Sequence, residues 1–319
     1  MRMQAMPMFP IPPLRSRQAL RRAGSALLWL CACPLAAQEM EPRAYSASPV
    51  GTNFLVLNFS RLHGAVLPDP SVPITDVEAD IDAETIAYVR TFGIAGHSAS
   101  LGFAAPLVQA DVSGNVVDAP SAVRRSGLGD TRLRFALGLI GAPAVSPAEF
   151  ARRTPETSLG VSLSVVVPSG RYRPQRLVNI GANRWAFRPE IGMSQPLGNW
   201  FFETTAGVWL FDRNDEYLGG HRRKQELLAL LQLHAGYNFR PGLWLAIDYG
   251  LTSGGRTSVD GIDKDDRQRN TRYGVTLSLP LGSGWSMKFA WAKAGITRAG
   301  GDYDSVAVSV QHAWFAGSR

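Results

Sequence analysis

Cysteine is almost missing from this chain, and its placement matters as much as its rarity. Cys31 and Cys33 are the two present among 319 residues. Both fall in an N-terminal stretch that reads as a removable leader. The rest has no thiol, which excludes a disulfide frame, a cysteine nucleophile and a cysteine-held metal. A membrane-spanning apolar run is missing near the N-terminus too. Ala26–Ala37 (ALLWLCACPLAA) has twelve residues, and a spanning helix needs about 20. Charge is also sparse, at 18%, against 45% hydrophobic residues. That balance excludes disorder and suits one large all-β domain.

The leader is basic and then apolar. Arg15, Arg17, Arg21 and Arg22 precede the apolar run, and Gln38-Glu39 open the polar chain. This is the layout of a secretory signal over residues 1–37, cut after Ala37, with the mature domain at 38–319. Residues 1–37 hold five Arg and no acid, so their removal leaves 28 cations against 26 anions and a formal charge of +2 in place of +7. A nucleic-acid-binding reading based on the basic pI therefore fails.

The stretch from Arg184 to Phe211 sets the pattern for what remains. Trp185, Phe187, Pro189, Ile191 and Met193 alternate with Arg184, Ala186, Arg188, Glu190, Gly192 and Ser194. The second arm sets Trp200, Phe202, Thr204, Ala206, Val208 and Leu210 against Phe201, Glu203, Thr205, Gly207 and Trp209. This is period two, with one apolar and one polar face. With Leu197-Gly198 as a two-residue loop, Met193 pairs with Phe202, Ile191 with Thr204 and Phe187 with Val208, and Glu190 meets Thr205. Each arm has the length of a tilted strand crossing a bilayer.

The same alternation predicts twelve strands: 53–62, 78–92, 97–109, 130–139, 158–167, the two arms within 184–211, then 224–239, 243–252, 270–280, 284–294 and 303–315. At Arg240-Pro241-Gly242, a three-residue turn with Gly242 left-handed brings Asp248 opposite His234 and keeps it off the lipid side. Across Leu281-Gly282-Ser283, Val275 pairs with Phe289 and Tyr273 with Trp291. Tight turns alternate with long connections at 64–77, 110–129, 168–183, 212–223, 253–269 and 295–302. An even strand count with short turns on one rim describes a transmembrane antiparallel β-barrel of the outer membrane. In the connection 140–157, Ser146-Pro147-Ala148-Glu149 has the form of a capping box with proline at the first helical position, which predicts a short helix.

Outward aromatics fall near strand ends, as interfacial girdles do: Trp200, Phe239, Trp285 and Trp314 at the short-turn rim, Trp185, Tyr249, Tyr273 and Trp291 at the other. The middle of the outward faces carries no charge. Function then belongs to the lumen-facing set. Arg132, Arg134 and Arg188 supply positive charge there, and Glu78, Asp80, Asp82, Glu84, Glu190, Glu203, Glu226 and Asp248 negative charge. Opposed basic and acidic walls can orient a solute in a narrow pore or simply fill a small barrel with ion pairs. His234 with Asp248 is the nearest approach to a catalytic dyad, but no serine joins it, and the expectation is a non-enzyme. His63, His97, His221 and His312 lack metal-ligand spacing. The acidic loop Asp260–Asp266 departs from the spacing of a calcium loop. Arg171, Tyr172, Arg173 and Arg176 form a basic cluster in an outer loop, suited to lipopolysaccharide phosphates or to plain solvent.

Several stretches resemble one family of Gram-negative outer-membrane proteins, that of the MetA pathway of phenol degradation. They are PVGTNFLVLNFS (49–60), AYVRTFG (87–93), SGLGDTRLRFALGLIGAPAVSPAEFA (126–151), NIGANRWAFRPEIG (179–192), YNFRPGLW (237–244), GGRTSVDG (254–261) and DDRQRNTRYG (265–274). The resemblance covers nearly the whole mature chain. It implies a β-barrel and uptake of small aromatic compounds, with no catalytic or binding residues to carry over. Ala316-Gly317-Ser318-Arg319 follow Trp314-Phe315, a departure from the usual barrel ending. The combined expectation is a passive channel for small molecules, hydrophobic or aromatic ones included, with no cofactor. Its partners would be outer-membrane lipid and lipopolysaccharide, the barrel-assembly machinery and a small-molecule solute. The rival readings are a barrel hydrolase acting on lipid or peptide, and a plugged barrel with a structural or adhesive role.

Overall fold

Alternating side chains need two different environments on the two sides of a strand, and a closed sheet in lipid supplies both. The computed structural model describes residues 40–70, 74–117 and 119–315. The expected signal at 1–37 lies outside the described residues. The wall consists of β1 (Thr52–Leu67), β2 (Ile74–Ile94), β3 (His97–Val116), β5 (Thr131–Ile140), β6 (Ser158–Val167), β7 (Ala186–Leu197), β8 (Trp200–Phe211), β11 (Leu228–Arg240), β12 (Leu243–Gly254), β15 (Gln268–Gly282), β16 (Trp285–Ala294) and β17 (Gly300–Phe315). Each pairs antiparallel with its neighbours, and β1 pairs with both β2 and β17, which closes a barrel of twelve strands. β4 (Ala119–Leu128) continues the wall outward as a hairpin on the far half of β3. A separate small sheet at the same end holds β9 (Asn214–Tyr217), β10 (His221–Gln225), β13 (Thr257–Val259) and β14 (Ile262–Asp263).

Along β7 and β8 burial alternates residue by residue. Trp200, Phe202, Ile191, Met193 and Leu210 are exposed on the outside, while Phe201, Glu203, Thr205 and Trp209 are buried inside. Leu55, Leu57, Phe59, Ile86, Leu101 and Phe103 continue the apolar belt around β1–β3. Ile247 is 62% exposed, and leaving such a side chain in water would forgo roughly 1.5–3 kcal/mol. Hydrocarbon, which fills no lone-pair need and asks for none, is the medium this belt fits. The eight girdle aromatics named above are all outward and exposed.

Two hairpins differ from the expected register. Leu197 pairs with Trp200 and Met193 with Thr204, so the β7–β8 loop is Gly198-Asn199, with Gly198 at φ +58°. Val275 likewise pairs with Trp291 and Leu277 with Phe289, around Ser283-Gly284. Both slips are by two residues, which leaves every side chain on its own face; hydrophobic pattern is blind to an even shift, and turn geometry decides it. At the third hairpin Gly242 sits at φ +79° and His234 pairs with Asp248, as the three-residue turn requires.

The helix α1 (Pro147–Phe150) lies on the short-turn rim. Ser146 caps it: its hydroxyl accepts from the Glu149 N–H while the Glu149 carboxylate accepts from the Ser146 N–H at 2.8 Å. Connections expected as loops at 64–77 and 110–129 are instead largely strand. With 21 residues in β2 and 20 in β3, these strands outrun the hydrocarbon, at about 3.3 Å per residue.

Candidate functional site

Seven of the predicted lumen residues face inward. Arg188 and Glu190 are buried together, their side chains 3.2 Å apart. Glu203 accepts from Ser194 Oγ at 2.7 Å. His234 Nδ1 meets Asp248 Oδ1 at 2.6 Å, and Thr276 Oγ1 donates to the other carboxylate oxygen at 2.7 Å. Arg132 and Arg134 line a cavity described below. The Thr276 hydroxyl is engaged by the carboxylate rather than by the imidazole, so the trio lacks the nucleophile–base contact of a hydrolase.

Glu78, Asp80, Asp82 and Glu84 were expected in the lumen and are not there. Ala79, Ile81 and Ala83 of β2 are buried, and the acids between them point outward. Asp80 meets His63 Nδ1 at 2.9 Å and Arg61 at 3.4 Å on that outer surface. Here β2 has left the membrane, so water and not lipid bathes its outer face, and the polarity of the two faces inverts. Glu226 also lies outside the lumen, in an exposed pair with Arg256 at 2.6 Å among the outer loops.

The lumen holds a segment that no periodicity announced. Residues 40–50 cross it before entering β1. Glu203 accepts the Arg43 N–H at 2.5 Å and the Ser46 hydroxyl at 3.0 Å. The Arg43 guanidinium lies 3.8 Å from the centre of the Phe201 ring and also bonds Asn238. Those contacts hold Arg43 in a left-handed conformation, φ +73°, which costs energy for any residue with a side chain. Tyr45 packs on the β6–β7 wall, with its hydroxyl 2.8 Å from Ser162 Oγ and its carbonyl accepting from Ser158 Oγ at 2.9 Å. Its ring needs Gly192: a Cβ there would stand 2.1 Å from Tyr45 Cδ2. The segment ends where the Val50 N–H donates to the Val145 carbonyl at 3.0 Å. Glu41, part-exposed in the lumen, lies 4.0 Å from Arg132 and within the field of Arg188, Arg134 and Lys288.

Between this plug and the opposite wall is a cavity of about 730 Å3. Its two sides differ. Arg132, Arg134, Arg272, Lys288 and Asp248 stand on one, with Glu41 and Arg43 of the plug. β17, β1 and β2 contribute only uncharged residues, among them Val56, Ser60, Ala87, Val89, Ala307 and Ser309. Lys288 and Arg272 alternate inward like the predicted residues, and the same count would have found them. Glu41, Arg43 and Tyr45 sit in a stretch without period, where only docking reveals a role.

The outer end is apolar inside. Leu62, Val66, Ile81, Val108 and Tyr303 form a buried apolar patch on the adjacent strands β17, β1, β2 and β3, and Leu177 and Ile180 of the connection 168–183 pack against it. Asp130 anchors that connection, accepting the Gly170 and Ala182 N–H groups at 2.8 Å each. Burial raises the Asp130 carboxyl above its usual value, against the opposing pull of those two N–H groups and Arg184.

Fold and site together define a class: an outer-membrane β-barrel of twelve strands whose lumen is narrowed by its own N-terminal segment. Residues 63–307 match the family described as "Putative MetA-pathway of phenol degradation", and the chain belongs to that family. Among solved structures it is similar to the COG4313 outer membrane channel from Pseudomonas putida F1, with 21% identity, 86% of this chain and 100% of that chain covered, and a TM-score of 0.74. It is also similar to the beta domain of the Bordetella autotransporter BrkA, at 16% identity over 83% of this chain and 100% of that one, TM-score 0.48. A further match is the CymD monoaromatic hydrocarbon channel, at 8% identity over 85% and 90%, TM-score 0.42. No curated protein sequence matches.

Proposed function

We propose that this barrel is a passive outer-membrane channel whose solutes are small and largely apolar, aromatic compounds among them. The observation that carries the reading is the sided cavity. Its 730 Å3 volume falls in the ordinary range for small-molecule sites, about 300–1,000 Å3. A molecule sliding along the β17–β1–β2 side meets methyl, methylene and hydroxyl groups, the carboxamides of Asn58 and Gln311, and no charge. On the other side part of the charge is paired within the protein, Arg132 with Glu41 at 4.0 Å and Asp248 with His234 at 2.6 Å. The P. putida barrel of like fold is named an outer membrane channel, which accords with a channel, and the family description concerns phenol degradation, which accords with aromatic solutes. Lipid and lipopolysaccharide surround the barrel in this reading, and its entry into the membrane passes through the barrel-assembly machinery.

Liposome swelling with phenols, sugars and amino acids tests the proposal. Phenols should enter well above the rate of empty vesicles, with sugars near it. Ala87→Trp, which fills the uncharged side, should abolish the difference. Sugars entering as fast as phenols would refute the solute class.

A further inference from the structure

The outer mouth gathers positive charge that the lumen does not use. Arg125 of β4 stands opposite Ala110 of β3, so it shares the face of the buried apolar patch and overhangs the mouth. Its neighbour Arg124 turns the other way and pairs with Asp111 at 2.9 Å. Arg171, Arg173 and Arg176 come from the connection 168–183. Arg171 donates to the Ser126 carbonyl at 2.8 Å and Arg125 to the Val178 carbonyl at 3.2 Å, which ties the cluster to β4 and to the loop that packs on the patch. Burial and the nearby Arg173, Arg125 and Arg171 lower Arg176 from the ordinary guanidinium value. Among the described residues no carboxylate forms an ion pair with any of these four. Beside them Leu177 and Ile180 lie on the apolar patch. Mutually repelling guanidinium groups next to a greasy opening suit a ligand with a matching division of charge and hydrocarbon.

We infer that the outer mouth is a capture site for amphipathic anions, its arginines holding a carboxylate or phosphate while the apolar body displaces Leu177 and Ile180 from the apolar patch. The inference rests on the channel reading, because it makes the mouth the entrance. Lipopolysaccharide phosphates carry the same chemistry, but Arg125 overhangs the opening and not the surrounding lipid, which favours a solute.

The test uses the full mature chain in detergent, with decanoate and decanol as probes and calorimetry as the readout. Decanoate should bind about tenfold more tightly than decanol, the size expected of a charge-assisted contact. That preference should fall with salt, vanish in the Arg173→Gln/Arg176→Gln double variant and return in Arg173→Lys/Arg176→Lys. Equal affinities, or a preference that survives the glutamine pair, would overturn the inference. So would a double variant that loses co-purifying lipopolysaccharide yet keeps its decanoate preference, since the ligand would then be lipid phosphate. Planar-bilayer conductance separates the two claims. A barrel that conducts without anion preference sinks the capture site alone, and one that prefers decanoate but passes nothing sinks the channel alone.

Discussion

Glu203 is the residue on which the plug turns. It accepts from the Arg43 N–H, Ser46 and Ser194 while buried on the inner face of β8. Glu203→Gln keeps the shape and removes the charge, and hydrogen bonds to a charged group contribute about 1.5–3 kcal/mol each. The segment should therefore loosen while the wall stays closed, read as faster thiol labelling of a cysteine placed at Ala47. Gly192→Val attacks the same dock by sterics, since Tyr45 already occupies the space of a Cβ. Overpacking of this kind costs about 1–3 kcal/mol. It should raise single-channel conductance without altering the heat-dependent shift of the barrel on a gel; an unchanged conductance would mean that Tyr45 does not narrow the pore. Most of the charged lumen residues were legible in the sequence because each alternates with a lipid-facing neighbour. Glu41 and Arg43 were not, since a docked coil carries no period and its partner Glu203 lies 160 positions from Arg43.

Elements fail to match the sequence reading where a strand changes solvent. On β2 the residues 78, 80, 82 and 84 are acidic and 86 and 88 are Ile86 and Tyr88, all on one face. Taken as one environment, that face must be lumen or lipid throughout; in fact it passes from lipid at Ile86 to water above Glu84. The change from acid to apolar at constant parity was the visible sign of the membrane edge. The small outer sheet is held differently, by carboxylates at its turns. Asp260 accepts the Arg222 N–H at 2.8 Å and meets His221 Nδ1 at 2.6 Å; Asp215 takes Arg222 Nε and Arg213 Nε at 2.7 Å each. The Arg222 N–H, then His221, holds the Asp260 carboxyl below its usual value, and Arg222, then Arg213, does so for Asp215. A carboxyl lowered on folding stabilises above its unfolded pKa, and that contribution disappears as pH falls through the folded one. Amide exchange in β9, β10 and β13 should accordingly quicken as pH drops below about 4, the unfolded aspartate value, after correction for intrinsic rates, while β7 and β8 stay protected. Equal change in both sheets would assign the effect to the barrel.

For the molecule as a whole, two features lie in series: the docked segment 40–50 on the short-turn side and, at the outer end, Leu177 and Ile180 packed over the apolar patch. The wall does not depend on the plug, because the twelve strands satisfy one another's backbone groups around a closed ring. The plug does depend on the wall, which supplies Glu203, Ser158, Ser162 and the Val145 carbonyl. Deleting residues 40–47 should thus leave a barrel that still shows its heat-dependent gel shift. It would also remove Arg43 from Glu203 and Glu41 from the field of Arg188, which keeps Glu190 at 3.2 Å, and open the charged side of the lumen to water. Ionic conductance in planar bilayers should rise several-fold, and sugar entry in the swelling assay should rise with it, erasing the advantage of phenols. If conductance stays at the level of the intact chain, the outer end is the tighter of the two, and only a change at Leu177, such as Leu177→Gly added to the deletion, should then open the pore.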